Sequence, residues 1–326
     1  MRSGSWIEPL VGRTGALLRV RGYSARTQDT YCTWVRRFLE HGDAGSADVV
    51  GPAHVASFLR DLTERARLAP RTRNQASSTL AFFLREVLGR DEFERMPRAK
   101  QPRKVPVVLS HRQASRVLRE LGGKYRLIAA IMYGCGLRLS EAHQLRVKDV
   151  DFELAQISVR DGKGGRDRWV MLPDRLSSAL KRQVQRVKTI HAADRKRGGG
   201  WVSLPHALAR KDPNASCELG WQFLFPSSQW SEDAVTGRLG RFHLHPSATQ
   251  RAVKKAARAT GIPKPISCHT FRRSFATQML RAGYDVRTVQ KLMGHRDIRT
   301  TMIYVEAVTD AGIGVRSPLD HADWRD

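Results

Sequence analysis

His269-Thr-Phe-Arg272 sets an imidazole and a guanidinium one turn apart on the same face of a predicted helix. A second imidazole, His295, follows Gly294, and Tyr304 ends the run in Met302-Ile-Tyr304. On such a face His269 can donate to one phosphate oxygen while Arg272 holds another, and Tyr304 offers an oxygen nucleophile. Phosphoryl transfer asks for little more than charge stabilisation, proton traffic and a positioned attacking group. Two further cations join the candidates. Arg138 stands in Gly136-Leu-Arg138-Leu-Ser-Glu141, and Lys163 stands in a tight turn where Gly164 and Gly165 let its ammonium reach outward. No metal-ligand set accompanies these residues, so the chemistry is expected to rest on side chains, with no metal or other cofactor.

Each residue also has an ordinary reading. An HxxR spacing arises by chance. Arg138 could simply pair with Glu141, Lys163 could be a solvated turn lysine, His295 a helix-end residue and Tyr304 a core aromatic. The weight lies in the order and spacing of all six.

Composition narrows the partner. The chain has 326 residues, with 57 Lys and Arg against 31 Asp and Glu, a formal net charge of +26. A field of that sign and size favours a polyanion, nucleic acid first. The charge runs along the whole chain, so a merely solvated basic surface is the competing explanation. Apolar content of 41% and a mean hydropathy of -0.44 fit a soluble globular protein. Cys32, Cys135, Cys217 and Cys268 lie far apart and form no CxxC pair, as expected of free thiols in a reducing cytoplasm. No apolar run reaches membrane-spanning length, and Met-Arg-Ser-Gly-Ser-Trp lacks the apolar core of a signal peptide. The expectation is a cytoplasmic protein with no membrane partner.

The elements that must position these residues read as mainly helical with a small antiparallel sheet, an α+β arrangement. A Ser24-capped helix through Leu39, a helix over Pro52–Leu62 and one over Pro70–Leu88 carry apolar residues at helical spacing. Residues 98–106 are basic, poor in apolar residues and broken by two prolines, which suits an extended linker. The predicted organisation is a helical domain over 1–98, a linker over 99–106 and a second domain over 107–326. In the second domain a Ser110-capped helix runs to about Leu121, and an apolar helix over Tyr125–Tyr133 stops at Gly134. Strands over 156–160 and 168–172 form a hairpin across Asp161-Gly162-Lys163-Gly164-Gly165. Helices follow over 174–189 and 247–260, and 269–304 is helical with stops at Gly283 and Gly294. Residues 191–246 read as irregular, with Trp221, Phe223 and Phe225 alternating as on a buried strand.

The ordered set resembles the tyrosine recombinase (phage-integrase) family, whose pattern is Arg, hairpin Lys, HxxR, His or Trp, then Tyr. Here it reads Gly-Leu-Arg138, Gly-Lys163-Gly-Gly-Arg-Asp-Arg, His269-Thr-Phe-Arg272, Met-Gly-His295 and Thr-Thr-Met-Ile-Tyr304. The resemblance covers nearly the whole chain and implies an N-terminal core-binding (SAM-like) domain and a catalytic domain. It further implies Tyr304 as nucleophile and a 3′-phosphotyrosyl intermediate. Arg138 and Arg272 would offset transition-state charge with help from His269 and His295, and Lys163 would be the general acid. No nucleotide or metal is required, and the implied working unit is a homo-tetramer on DNA.

A narrower resemblance is to integron integrases, carried by Leu204–Asn214, Gly220–Pro226 and His243-Leu-His245-Pro, and by Gly-Val-Arg-Ser-Pro-Leu-Asp320. It implies an insertion at about 190–246 and a substrate that folds as a single-stranded hairpin with extrahelical bases, besides a double-stranded primary site. Stacking on aromatic rings is worth roughly 1–3 kcal/mol per base. Trp221, Trp201 and His243 are the candidates for it, with Lys211 for phosphate contact and Arg273 as a further DNA-binding candidate. The chain departs from the family at Arg273, where His is usual, at Phe242, where paired histidines are common, and at Val305-Glu306, where Thr-His is usual. The competing readings are a duplex-specific Xer-like or phage recombinase, a type IB topoisomerase and a non-enzymatic basic DNA-binding protein.

Overall fold

The computed structural model describes residues 6–41, 46, 50–90, 98–100, 106–162, 166–204, 206–233 and 236–309. The chain divides into two compact units, Met1–Lys104 and Val105–Asp326.

The first unit is built from α1 (Ile7–Val20), α2 (Ala25–Leu39), α3 (Pro52–Glu64) and α4 (Pro70–Phe82), the last running into a π-turn at Phe83–Val87. Ser24 Oγ accepts from Thr27 N–H at 3.3 Å and starts α2. Trp34, Val35, Phe38 and Leu39 then face the core, where Phe38 meets Phe58 and Phe83 edge-on. Sequence reading did not single out α1. It contains Gly12 and Gly15 and has no side-chain cap, so its intrinsic propensity is low. It forms because Ile7, Val11, Thr14 and Leu18, at i, i+4, i+7 and i+11, bury against its neighbours.

The second unit centres on α6 (Gly123–Gly134) and α11 (Cys268–Arg281), packed around Ile128, Ile131, Met132 and Phe271. Each such fully buried large side chain contributes about 1.5–3 kcal/mol from the area removed from water. Around them lie α5 (His111–Arg119), α7 (Leu139–Gln144), α8 (Asp174–Lys196) and α10 (Pro246–Ala259). One flank carries the antiparallel sheet β1 (Val150–Asp151), β2 (Gln156–Gly162) and β3 (Arg166–Met171), in that order. Its register pairs Gln156 with Met171 and Val159 with Arg168, with an irregularity between Val159 and Gly162. The last described elements are α12 (Val286–Met293) and α13 (Arg299–Thr309).

The described residues of 190–246 are more ordered than their sequence pattern suggests. The first seven complete α8, which extends two turns past the predicted end. The rest holds α9 (His206–Lys211) and the two-residue strands β4 (Ser231–Glu232) and β5 (Leu239–Gly240). Asp194, buried on α8, anchors the segment by accepting two bonds from Arg241 (2.6 and 3.0 Å) and one from Trp230 Nε1 (3.0 Å). Arg146 ties it down again by donating to the carbonyls of Trp221 (2.6 Å) and Ser203 (2.8 Å). The expected alternation of Trp221, Phe223 and Phe225 is absent. Gln222, Phe223, Leu224 and Phe225 are all buried, because this stretch threads the core as irregular chain, while Trp221 is half-exposed in a short 3-10 turn.

Candidate active site

Two helix termini and a helix start converge on the site. The α6–α7 connection brings Arg138, the start of α11 brings His269 and Arg272, and the end of α12 brings His295. Gly136 and Gly294 make the approach possible. Both have positive φ (69° and 60°), and a Cβ on Gly136 would meet the Phe275 ring at 2.5 Å. Their carbonyls are exchanged between the two arginines. Arg138 donates to Gly294 O at 3.0 Å, and Arg272 donates to Gly136 O at 2.6 Å.

Glu141 is the hub. Its carboxylate receives Arg138 (2.6 Å), Arg168 (3.0 and 2.7 Å) and, at 3.5 Å, Arg272. It also caps α7 by accepting from the Arg138 backbone N–H at 2.7 Å. Burial alone would push its pKa up. The Arg168 hydrogen bonds and charge, then the Arg138 N–H and the charge of Arg272, outweigh this and hold it at about 2. A permanent anion therefore neutralises part of a three-arginine cluster and fixes the fork of each.

Arg272 is 5% exposed. Besides Gly136 and Glu141 it donates to the Met293 carbonyl, and its second amino group faces His295 Nε2 at 3.3 Å. Both ends of the fork that the sequence offers to phosphate are thus already engaged by protein groups. Burial, then the charge of Arg138, brings its pKa down to about 9, still protonated at neutral pH.

His269 is exposed at the start of α11. Partial desolvation, then the charges of Arg273, Arg272 and Arg138, lower its pKa. His295 is lowered further, to about 4, by burial and then by Arg272 and Arg138. Both imidazoles are therefore neutral near pH 7. Tyr304, on α13, is half-buried against Phe275, Val289 and Met293, and its ring stacks on His295 at 6.2 Å with 19° between planes. Tyr304 is thus packed as the core-aromatic reading expects, and the Arg138–Glu141 pair is present. Lys163 lies outside the described residues.

The stacking candidates in 190–246 each have partners of their own. Trp221 carries Lys148 Nζ over its ring at 2.8 Å, and Trp201 carries the Arg238 guanidinium at 4.0 Å. His243 is half-buried between Phe242 (4.6 Å) and Phe223 (5.3 Å). Lys211 and Arg273 are exposed. Phe242, 48% exposed, is the accessible ring of that trio. In the sequence it stands out only as a departure from the family pattern. The sequence pattern also leaves Arg168 unassigned and Glu141 as a local partner of Arg138. The usable signal for Arg168 was position: it stands opposite buried Val159, two residues before buried Val170, so an arginine occupies an inward slot of a strand.

A buried anion thus aligns three guanidinium groups beside two imidazoles and a tyrosine. Comparison with known proteins gives the family. Residues 108–310 match the phage integrase family, and residues 13–92 match the phage integrase N-terminal SAM-like domain. An integrase/recombinase of Escherichia coli is 41% identical over 305 residues, spanning 93% of this chain and 90% of that protein. Tyrosine recombinase XerA of Pyrococcus furiosus is 28% identical over 88% of this chain and 85% of its own. In fold the chain is similar to a lambda integrase dimer bound to a core site, with a TM-score of 0.65 at 14% identity, covering 98% of each chain. The chain belongs to the phage integrase family, the tyrosine recombinases. It is a site-specific DNA recombinase of the Xer and phage type.

Proposed function

We propose that this recombinase is an integron integrase, joining and excising gene cassettes at folded single-stranded sites as well as at a double-stranded one. The observation that carries the reading is the accessible ring of Phe242, backed by His243 and Phe223 within an insert that Asp194 and Arg146 hold on the second unit. An unstacked base needs a flat apolar face that is supported from behind, and such a ring supplies one. Trp221 and Trp201, each with a cation over a face, suit a base flanked by its phosphate, and Lys211 and Arg273 lie exposed for backbone contact.

In the proposed reaction Tyr304 Oη attacks the scissile phosphorus and the bond to the 5′ oxygen breaks, leaving a 3′-phosphotyrosyl link and a 5′-hydroxyl. Arg138 and Arg272 stabilise the charge that gathers on the non-bridging oxygens. His269 and His295, neutral at pH 7, serve proton transfer and phosphate contact, and Lys163 protonates the leaving oxygen. The 5′-hydroxyl of a partner strand then reverses the step, so the bond energy is conserved. The domains act as a core-binding unit over 1–98 and a catalytic unit over 107–326, joined by 99–106. A homo-tetramer is the proposed assembly. A groove between α5, α6 and α8, lined by Leu118, Leu127 and Leu176 together with Arg126, Arg182 and Arg186, is the surface proposed for a second copy.

The deciding measurement compares binding of a folded single-stranded cassette-site hairpin with binding of the same site as duplex. Tighter binding of the hairpin is expected. Preference for the duplex would place the protein with the ordinary Xer or phage recombinases. Both affinities should fall steeply with salt, because phosphate contacts release counterions.

A further inference from the structure

The His295 ring is gripped from both nitrogens. Nε2 faces an amino group of Arg272 at 3.3 Å, and Nδ1 lies 2.9 Å from Thr301 Oγ1. A guanidinium has donors and no acceptor, so Nε2 must present its lone pair to Arg272. A neutral imidazole then carries its proton on Nδ1, and that proton points at the Thr301 hydroxyl. Thr301 is fully buried and sits in the first turn of α13. Tyr304 lies three residues on, so both project from one face of that helix. The same eleven-residue helix therefore carries the tyrosine and the group that holds the histidine stacked on it.

From this geometry we infer that Thr301 is a positioning residue for His295: its hydroxyl accepts the Nδ1 proton, holds the ring parallel to Tyr304 and keeps the Nε2 lone pair directed at Arg272. The role rests on the proposed reading of His295 and Tyr304 as parts of one active site. A threonine is suited to it. Its hydroxyl can accept from Nδ1–H, and by rotating can donate to a bare Nδ1, so the ring stays anchored when its Nε2 side changes partners. Serine keeps that capacity, while valine keeps the shape and loses it.

The test uses the full-length protein. Nitrogen NMR of His295 should report a neutral ring protonated at Nδ1 and hydrogen-bonded there; Thr301→Val should shift the Nδ1 signal as that bond is lost, while Thr301→Ser retains the parental signal. On a nicked DNA substrate that traps the covalent product, Thr301→Val should cleave roughly ten- to a hundredfold more slowly, as expected when a reacting group is misplaced by a fraction of an ångström to an ångström. Its DNA binding should be unchanged, and Thr301→Ser should cleave near the parental rate. A parental His295 protonated at Nε2 would overturn the inference, and that measurement needs no variant to fold. So would a valine variant with unaltered nitrogen signals or rate, or a serine variant as slow as valine. Tyr304→Phe separates the two levels. A covalent adduct surviving that substitution rejects the proposed chemistry while leaving the Thr301–His295 hydrogen bond to stand or fall on the nitrogen spectrum.

Discussion

Arg168 grips Glu141 through two parallel bonds, 3.0 and 2.7 Å, and uses its remaining Nε–H to reach the Leu292 carbonyl at 2.8 Å. One side chain from β3 thus joins the carboxylate that aligns Arg138 and Arg272 to the end of the helix that precedes His295. Its guanidinium also lies within 3.0–3.1 Å of where a Cβ on Gly294 would be, which leaves that glycine no room for a side chain. The sheet and the site are in this way mechanically continuous.

Glu141→Gln is expected to weaken the fold and to reshape its response to acid. Removing the charge leaves three guanidinium groups crowded without their anion, and breaking a buried pair costs about 3 kcal/mol or more. The sign of the pH effect follows from the direction of the shift. The pKa is lowered on folding from 4.5 to about 2, so the stabilisation is complete above about 4.5 and is lost as pH falls towards 2. The drop is worth roughly 3 kcal/mol at 1.36 kcal/mol per unit. Thermal unfolding measured from pH 6 down to pH 2.5 should show this acid-sensitive component in the parent and a flatter profile in the variant. Parallel profiles would mean that Glu141 is not held as described.

Much of this site is legible in the sequence because its residues sit at helix boundaries. Gly136, Gly294 and the Ser267-Cys-His269 entry to α11 are punctuation that a helix leaves behind, and the chemistry is placed just beside it. What the sequence hides is long-range closure. Glu141 reads as a partner of Arg138 three residues away, while its bonds to Arg168 and Arg272 close over 27 and 131 residues. The 190–246 segment hides for a related reason. Two-residue strands and 3-10 turns have no period to detect, and the order comes from Asp194 reaching Arg241 across 47 residues. Two of the three departures diverge as well: Arg273 points outward beside buried Arg272, whereas Phe242 forms the exposed face of an aromatic cluster.

The role proposed for Lys163 separates from a general loss of charge by leaving-group chemistry. A general acid is needed only while the departing oxygen is a poor leaving group. Lys163→Ala should therefore slow cleavage of ordinary DNA by about a hundredfold or more, in line with the usual contribution of proton transfer. With a 5′-bridging sulfur, which leaves without protonation, the loss should shrink to a few-fold. Single-turnover adduct formation on the two substrates measures it. Equal losses on both would assign the lysine to phosphate binding.

Phe242→Ala tests the proposed role of the 190–246 segment without touching the proposed reaction centre. The ring is accessible, and His243 and Phe223 support it from behind, so its removal deletes a platform and leaves no cavity in the main core. Stability should change by under about 1 kcal/mol, as for most exposed positions. If an extrahelical base stacks there, hairpin binding should weaken by about 1–3 kcal/mol, a factor of roughly five to 150, with duplex binding nearly unaltered. Phe242→Trp should keep or improve hairpin affinity, because a larger π face serves the same contact, whereas Phe242→Leu keeps apolar bulk and loses the flat face. A leucine variant that binds as tightly as the parent would show that burial of apolar surface, and not stacking, is what this position contributes. A loss shared equally by hairpin and duplex would mean that Phe242 shapes the surface around ordinary DNA, and the base-stacking reading of the insert would fall.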